Sequence, residues 1–237
     1  MTNETKPLSI GMLAFPRMTQ LDFTGPFEVF ARMPGAVVHT LWKETGPVTT
    51  DRGLRLIADT TLAACPPLDI VFVPGGPGQQ ELMDDVEVLT FLRTQAAHAR
   101  YVTSVCTGAL VLGAAGLLRG RRATTHWSAV AHLGVFGANA VPSRVVFDGQ
   151  LVTGGGVTAG IDFGLTLAGE IFGDAVAKEI QLQIEYDPAP PYNAGHPSKA
   201  PPAALERVRE RGKALFDARR KAAVDAAERL KAEGLLT

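Results

Sequence analysis

The 237-residue sequence predicts an α/β fold: a doubly wound, mostly parallel sheet flanked by helices, with a Pro-rich linker and one further helix behind it. Three observations carry this prediction. Continuous apolar runs at 9–15 and 69–73 end at Pro, the pattern of strands covered on both faces. Such runs alternate with stretches of helical length and apolar content, the order of βαβ units. The chain is 46% hydrophobic and long enough to bury a large core in one domain.

In chain order, the strand at 9–15 is followed by a helix at 27–33, begun after the Gly25-Pro26 pair. Strands are predicted next at 37–42, 48–51 and 54–58, some of them antiparallel, and then the buried strand at 69–73. A helix at 86–99 leads to the β-branched strand 101–105, and the small apolar stretch 107–115 has the character of a buried helix. A short helix at 128–133, strands at 144–147 and 150–153, and helices at 158–172 and 175–185 complete a domain assigned to residues 1–187. Residues 188–202 hold too many prolines for helix or strand and form a linker. In the C-terminal segment 203–237, Leu205, Val208, Gly212, Leu215, Arg219, Ala222, Ala226 and Leu230 recur at three- and four-residue steps among charges. This is an amphipathic helix, expected to pack on the domain or on a partner subunit.

The net charge of −1 gives no general electrostatic footprint for nucleic acid or a membrane surface, and it suits a small, weakly charged substrate. Two cysteines make no disulfide framework, the N-terminal residues lack the pattern of a secretory leader, and no apolar run has the length of a membrane span. A cytoplasmic location is expected.

Cys106 stands at the turn from the strand 101–105 into the helix 107–115. An elbow of that kind exposes a side chain at the carboxyl edge of a parallel sheet, where ligands of such sheets bind. The free N–H groups of a helix start can draw a thiol pKa from about 8.5 toward the 3.5–7.5 range of reactive cysteines. The residue types alone leave two readings open, a nucleophile or a small buried hydrophobe. Asp22 lies at the same edge, as a proton shuttle or as the cap of a helix beginning near Pro26, with the cap favoured. Glu28, one turn on, reads as a helix-face residue. Pro74-Gly75-Gly76-Pro77-Gly78 can turn backbone N–H groups toward a ligand, or be a plain tight turn; it carries neither a dinucleotide nor a phosphate-loop spacing. Gly154-Gly155-Gly156 is a similar edge loop, serving flexibility or close packing. His126 reads as a buried histidine donating to backbone, and His39, His98, His132 and His196 show no metal-ligand spacing.

Taken together, VPGGPG, SVCTGA, ATTHW and GGGVTAGIDFGL identify a chain similar to the ThiJ/PfpI superfamily over roughly residues 7–187. The longer set LDFTGPFEVFA, YVTSVCTGALVLGAAGLLRGRRATTHW, LVTGGGVTAGIDF and LQIEYDPAPPYNAG resembles the isonitrile hydratases of that superfamily. Class I glutamine amidotransferases share the elbow but need a His-x-Glu, whereas His126 is followed by Trp127-Ser128; PfpI-type proteases place His after the cysteine, where this chain has Thr107. AraC-type regulators carry the same domain with a DNA-binding pair of helix-turn-helix units, for which the segment after Pro191 is too short. The resemblance implies a flavodoxin-like sheet, Cys106 as nucleophile and Asp22 as acid/base. It further implies that the backbone N–H groups of Gly76 and Thr107 hold the reacting centre, in a homodimer with no metal or organic cofactor. The implied reaction is hydration of a small-molecule isocyanide to an N-substituted formamide. A cofactor-independent glyoxalase and a non-enzymatic thiol sensor are the competing readings.

Overall fold

The computed structural model describes residues 7–236. β1 (Leu8–Leu13) opens the sheet and α1 (Gln20–Phe30) follows it. β2 (Ala36–Trp42) is succeeded by an antiparallel ribbon of β3 (Gly46–Thr49) and β4 (Arg55–Ala58), which stands apart from the main sheet, and by β5 (Thr60–Thr61). β6 (Ile70–Val73) is buried at every position; α2 (Gln79–Leu82) and α3 (Val86–Ala96) come next, the latter started by Asp85, whose carboxylate accepts the Val88 N–H. β7 (Tyr101–Ser104), also wholly buried, feeds α4 (Gly108–Ala114). The two-residue β8 (Arg122–Ala123), α5 (Val130–Leu133), β9 (Asn139–Ala140), β10 (Val145–Asp148) and β11 (Leu151–Gly154) precede α6 (Ala159–Phe172), α7 (Asp174–Gln183) and α8 (Pro202–Ala232).

The main sheet has the order β10-β11-β7-β6-β1-β2-β5 and is parallel except for β10. From β1 the chain steps outward to β2, returns to β6 on the other side of β1, and continues through β7 to β11, which is the flavodoxin-like order. The direction reverses between β1 and β6, so the loops after these strands diverge and leave a crevice at their carboxyl ends. The core beneath it is aromatic: Phe30 of α1, Phe72 of β6 and Phe163 of α6 meet with ring centroids 5.6, 6.2 and 5.8 Å apart.

Two elements depart from the sequence reading. α1 starts at Gln20, not after Pro26, and takes Gly25-Pro26 into its interior. Pro26 is accommodated because Gly160 of α6 has no side chain: a Cβ there would lie 2.8 Å from the proline Cδ. Close packing of two helices thus overrides a local breaker. In α8 the apolar seam is seated only in its C-terminal half, where Arg219, Ala223, Ala226, Ala227 and Leu230 are buried, while Val208 is 48% exposed. The helix is tied to the domain by Arg229 to Asp84 at 2.5 Å, by Arg93 to Glu233 at 3.4 Å just past its end, and by Gln80 Nε2 donating to the Leu215 carbonyl near its middle at 3.2 Å. Among the described residues no helix is long and apolar enough to cross a membrane.

Candidate active site

Cys106 follows β7 by two residues and has φ 52°, one of three non-glycine residues with positive φ among those described. That backbone is strained by roughly 1–3 kcal/mol and needs surrounding contacts to persist. They are present: the Cys106 N–H donates to the Gly155 carbonyl at 2.7 Å, and its own carbonyl accepts the Thr125 hydroxyl at 2.6 Å. The elbow turns the sulfur into the crevice side of the sheet, where it is 5% exposed. Backbone N–H groups of Thr107 and Val157 donate to it.

Asp22 sits in the first turn of α1 and is fully buried. The cap reading is therefore corrected: the helix has begun two residues earlier, and the carboxylate points across the crevice. Its Oδ2 accepts the Gly75 N–H at 3.1 Å, and its Oδ1 is buried with no hydrogen-bond partner. Gly75 makes the approach of the two groups possible. A Cβ on Gly75 would lie 2.6 Å from the Thr107 nitrogen, 2.8 Å from Asp22 Oδ2 and 2.8 Å from Cys106 Cβ.

Burial dominates the electrostatics. It pushes the Asp22 carboxyl up to about 7, against hydrogen bonds from the Cys106 thiol and the Gly75 N–H that favour the ionised form. The Cys106 thiol is held well above its ordinary value, first by burial and then by the Asp22 carboxylate. The two N–H groups on the sulfur pull the other way and lose. Activation by the helix start, expected from sequence, is thus outweighed: the resting sulfur is a thiol beside a carboxyl whose pKa lies near neutrality. Such a pair can move one proton from sulfur to oxygen as a bond forms to the sulfur.

The structure brings Asp22, Gly76, Cys106 and Thr107 to one place. Gly76, with φ 131°, spends its N–H on the Thr107 hydroxyl at 3.1 Å, so it fixes Thr107 instead of offering a free donor. His126 differs from the sequence reading. Its Nδ1 accepts the Ser128 N–H at 3.3 Å and pairs with the Ser128 hydroxyl at 2.8 Å, so it does not donate to backbone. Burial and then the Arg219 charge lower its pKa to about 4, which keeps it neutral. Glu28 pairs with Arg32 at 2.7 Å on the face of α1 and takes no part in the site. Sequence reasoning missed Thr125, Val157 and Ser128, whose contributions are a hydroxyl or a backbone N–H with no motif to mark them. Arg219 was legible only as a charge standing in an apolar seam.

A strained cysteine elbow facing a buried carboxyl across the switch point of a parallel sheet defines a thiol-centred α/β protein. The chain belongs to the DJ-1/PfpI family, whose model matches residues 8–170. It is 56% identical over 204 residues to an isonitrile hydratase of Pseudomonas putida, across 86% of this chain and 90% of that one. A solved structure of a ThiJ/PfpI family protein from Pseudomonas syringae superposes with a TM-score of 0.90 at 40% identity, covering 93% of both chains. The HTH-type transcriptional regulator GbdR of Pseudomonas aeruginosa is 31% identical over 189 residues, which span 76% of this chain and 51% of the regulator.

Proposed function

We propose that this protein is an isonitrile hydratase that converts isocyanides to N-substituted formamides through a covalent thioimidate on Cys106. The observation that carries the reading is the Cys106 thiol at a strained elbow against the buried Asp22 carboxyl. The 56% identity to the Pseudomonas putida hydratase supports the substrate class. The competing glyoxalase and thiol-sensor readings use the same sulfur, and the relatives named DJ-1 are 27–33% identical to this chain.

The terminal carbon of R–N≡C is both electrophilic and carbene-like. In the first step the sulfur attacks it while its proton passes to Asp22, forming the C–S bond. Asp22 then returns that proton to the same carbon, giving the thioimidate R–N=CH–S–Cys106. Water adds to this carbon, with Asp22 Oδ1, free of other partners, orienting it and taking a proton. The C–S bond breaks, the thiol is restored, and R–NH–CHO leaves. The Thr107 and Val157 N–H groups stabilise the charge carried by sulfur in both directions. Residues 1–187 are read as the catalytic domain, 188–202 as linker and 203–237 as a helix that completes it, in a cytoplasmic homodimer without cofactor.

Incubation with a simple alkyl or aryl isocyanide and mass-spectrometric detection of the formamide tests this directly. Consumption of methylglyoxal with no formamide from any isocyanide would replace the reading by the glyoxalase one.

A further inference from the structure

The charged residues of α8 are solvated or, like Arg229 with Asp84, paired, several as i,i+4 pairs such as Lys213 with Asp217 and Lys221 with Asp225. Arg219 is the exception, at 4% exposed. Its Nη1 donates to the Ser128 hydroxyl at 3.2 Å and its guanidinium carbon lies 5.7 Å from the Phe216 ring centroid. Its Nε is buried with no partner, and among the described residues no carboxylate pairs with it. A buried guanidinium without a counter-charge is costly unless its surroundings supply one during function.

The surroundings are the thiol site. Ser128 receives Nη1 and hydrogen-bonds His126 Nδ1 at 2.8 Å. The His126 ring fills the space above Gly156, where a Cβ would lie 2.4 Å from the imidazole Cδ2; the next residue, Val157, donates its N–H to the Cys106 sulfur. At the Ser128 end of this row opens a cleft of about 470 Å³ between Trp127 and Phe216, its charged rim formed by Arg209, Glu210, Lys213 and Asp217. The titratable groups that feel Arg219 from other segments are Cys106 after β7, His126 ahead of α5 and His132 within α5, the last also facing Arg220. Asp22 faces the thiol from α1. His126 is neutral, and the other cations on this side, Arg209, Lys213 and Arg220, are exposed, so Arg219 is the buried one.

We propose that Arg219, delivered by the C-terminal helix, is a positioning residue whose positive charge offsets the Asp22 carboxylate at the Cys106 site, stabilising the thiolate and easing the approach of reagents that carry negative charge. The proposal rests on Cys106 being the reactive group, but not on which substrate it turns over. The full-length Cys65→Ala protein leaves Cys106 as its one thiol, and its alkylation rates by neutral iodoacetamide and anionic iodoacetate are compared at one pH. Arg219→Met and Arg219→Gln are expected to lower the iodoacetate to iodoacetamide ratio by about fivefold or more, as loss of a nearby unit charge in a partly desolvated site requires. Arg219→Lys is expected to restore the ratio to within about twofold, because a charge and not a shape is being read. A purely structural role would change both rates together and leave the ratio alone. An unchanged ratio in a folded neutral variant, or failure of Arg219→Lys to restore it, overturns the proposal. Absence of formamide with the ratio behaving as expected would instead sink the hydratase reading and leave Arg219 in its role.

Discussion

The two cysteines of the chain make an instructive pair. Cys65, in the loop between β5 and β6, is half-buried, donates its thiol to the Pro66 carbonyl at 3.3 Å, and is pushed up to about 11 by burial alone. Cys106 is more deeply buried and is raised as well. Ease of ionisation at rest therefore does not single out the nucleophile. The difference lies in what surrounds the sulfur when it is asked to react. Cys106 has a carboxyl of pKa about 7 to take its proton and two backbone N–H groups to hold its charge, on an elbow that fixes its direction. Cys65 has a carbonyl, which can do neither.

The most severe way to test this contrast is Cys106→Ala. Turnover is expected to fall below detection with the thermal transition kept, since alanine fits the same space and the elbow is held by Gly155 and Thr125. Retention of a tenth of the rate would rule out covalent catalysis at this sulfur. Next comes Asp22→Asn, which keeps shape and removes the proton acceptor. Formamide production should drop by about 10²–10⁴. Alkylation of Cys106 by iodoacetamide should persist but slow, because the group that takes the thiol proton is gone while the sulfur and its two N–H donors remain. Near-normal turnover by Asp22→Asn would leave Cys106 no better provided than Cys65.

Asp22 also gives activity and stability opposite slopes with pH. Attack begins with Asp22 as carboxylate, so kcat/KM should rise about tenfold per pH unit below pH 7 and level off above it. Its folded pKa of about 7 exceeds the ordinary 3.8, so the native state holds a proton that the unfolded chain has lost. The stability this contributes is fully present below pH 3.8 and is lost as pH rises through about 7. Asp22→Asn should accordingly be the more stable protein at pH 8, by up to about 4 kcal/mol on the scale of 1.36 kcal/mol per pKa unit. Denaturant melts of both proteins at pH 5 and pH 8 check it; a stability gap of the same size at both pH values would show that the buried carboxyl carries no such penalty.

Much of this was legible in the sequence because the relevant signals are local. β1, β6 and β7 are apolar runs that meet helices on both faces, and a lone cysteine at a strand-to-helix junction marks itself. Long-range packing is where local signals stop. Pro26 breaks no helix because Gly160, far along the chain, makes room for its ring. On its local residues Asp22 is open between proton shuttle and helix cap, and the choice turns on Gly75, which brings β6's loop beside it. Thr125 and Val157 act through groups every chain offers, and Arg219 gains its meaning from being folded back onto Ser128.

The mildest expected effect is at the other thiol. Cys65→Ala removes one hydrogen bond to a neighbouring carbonyl in a half-buried loop, so turnover should stay within about twofold and stability within about 1 kcal/mol. The same residue supplies a sharper test in the wild-type protein. With a pKa of about 11, only about one Cys65 thiol in 10⁴ is ionised at pH 7, and no carboxylate assists it. Accessibility nonetheless favours Cys65, since Cys106 is 5% exposed. A brief pulse of iodoacetamide at pH 7 followed by peptide mapping sets these two effects against each other. If a proton acceptor governs thiol chemistry here, the label appears first on the buried Cys106. Label appearing first on Cys65 would mean that exposure outweighs the Asp22 partnership, and the contrast between the two sulfurs would have to be rebuilt on access alone.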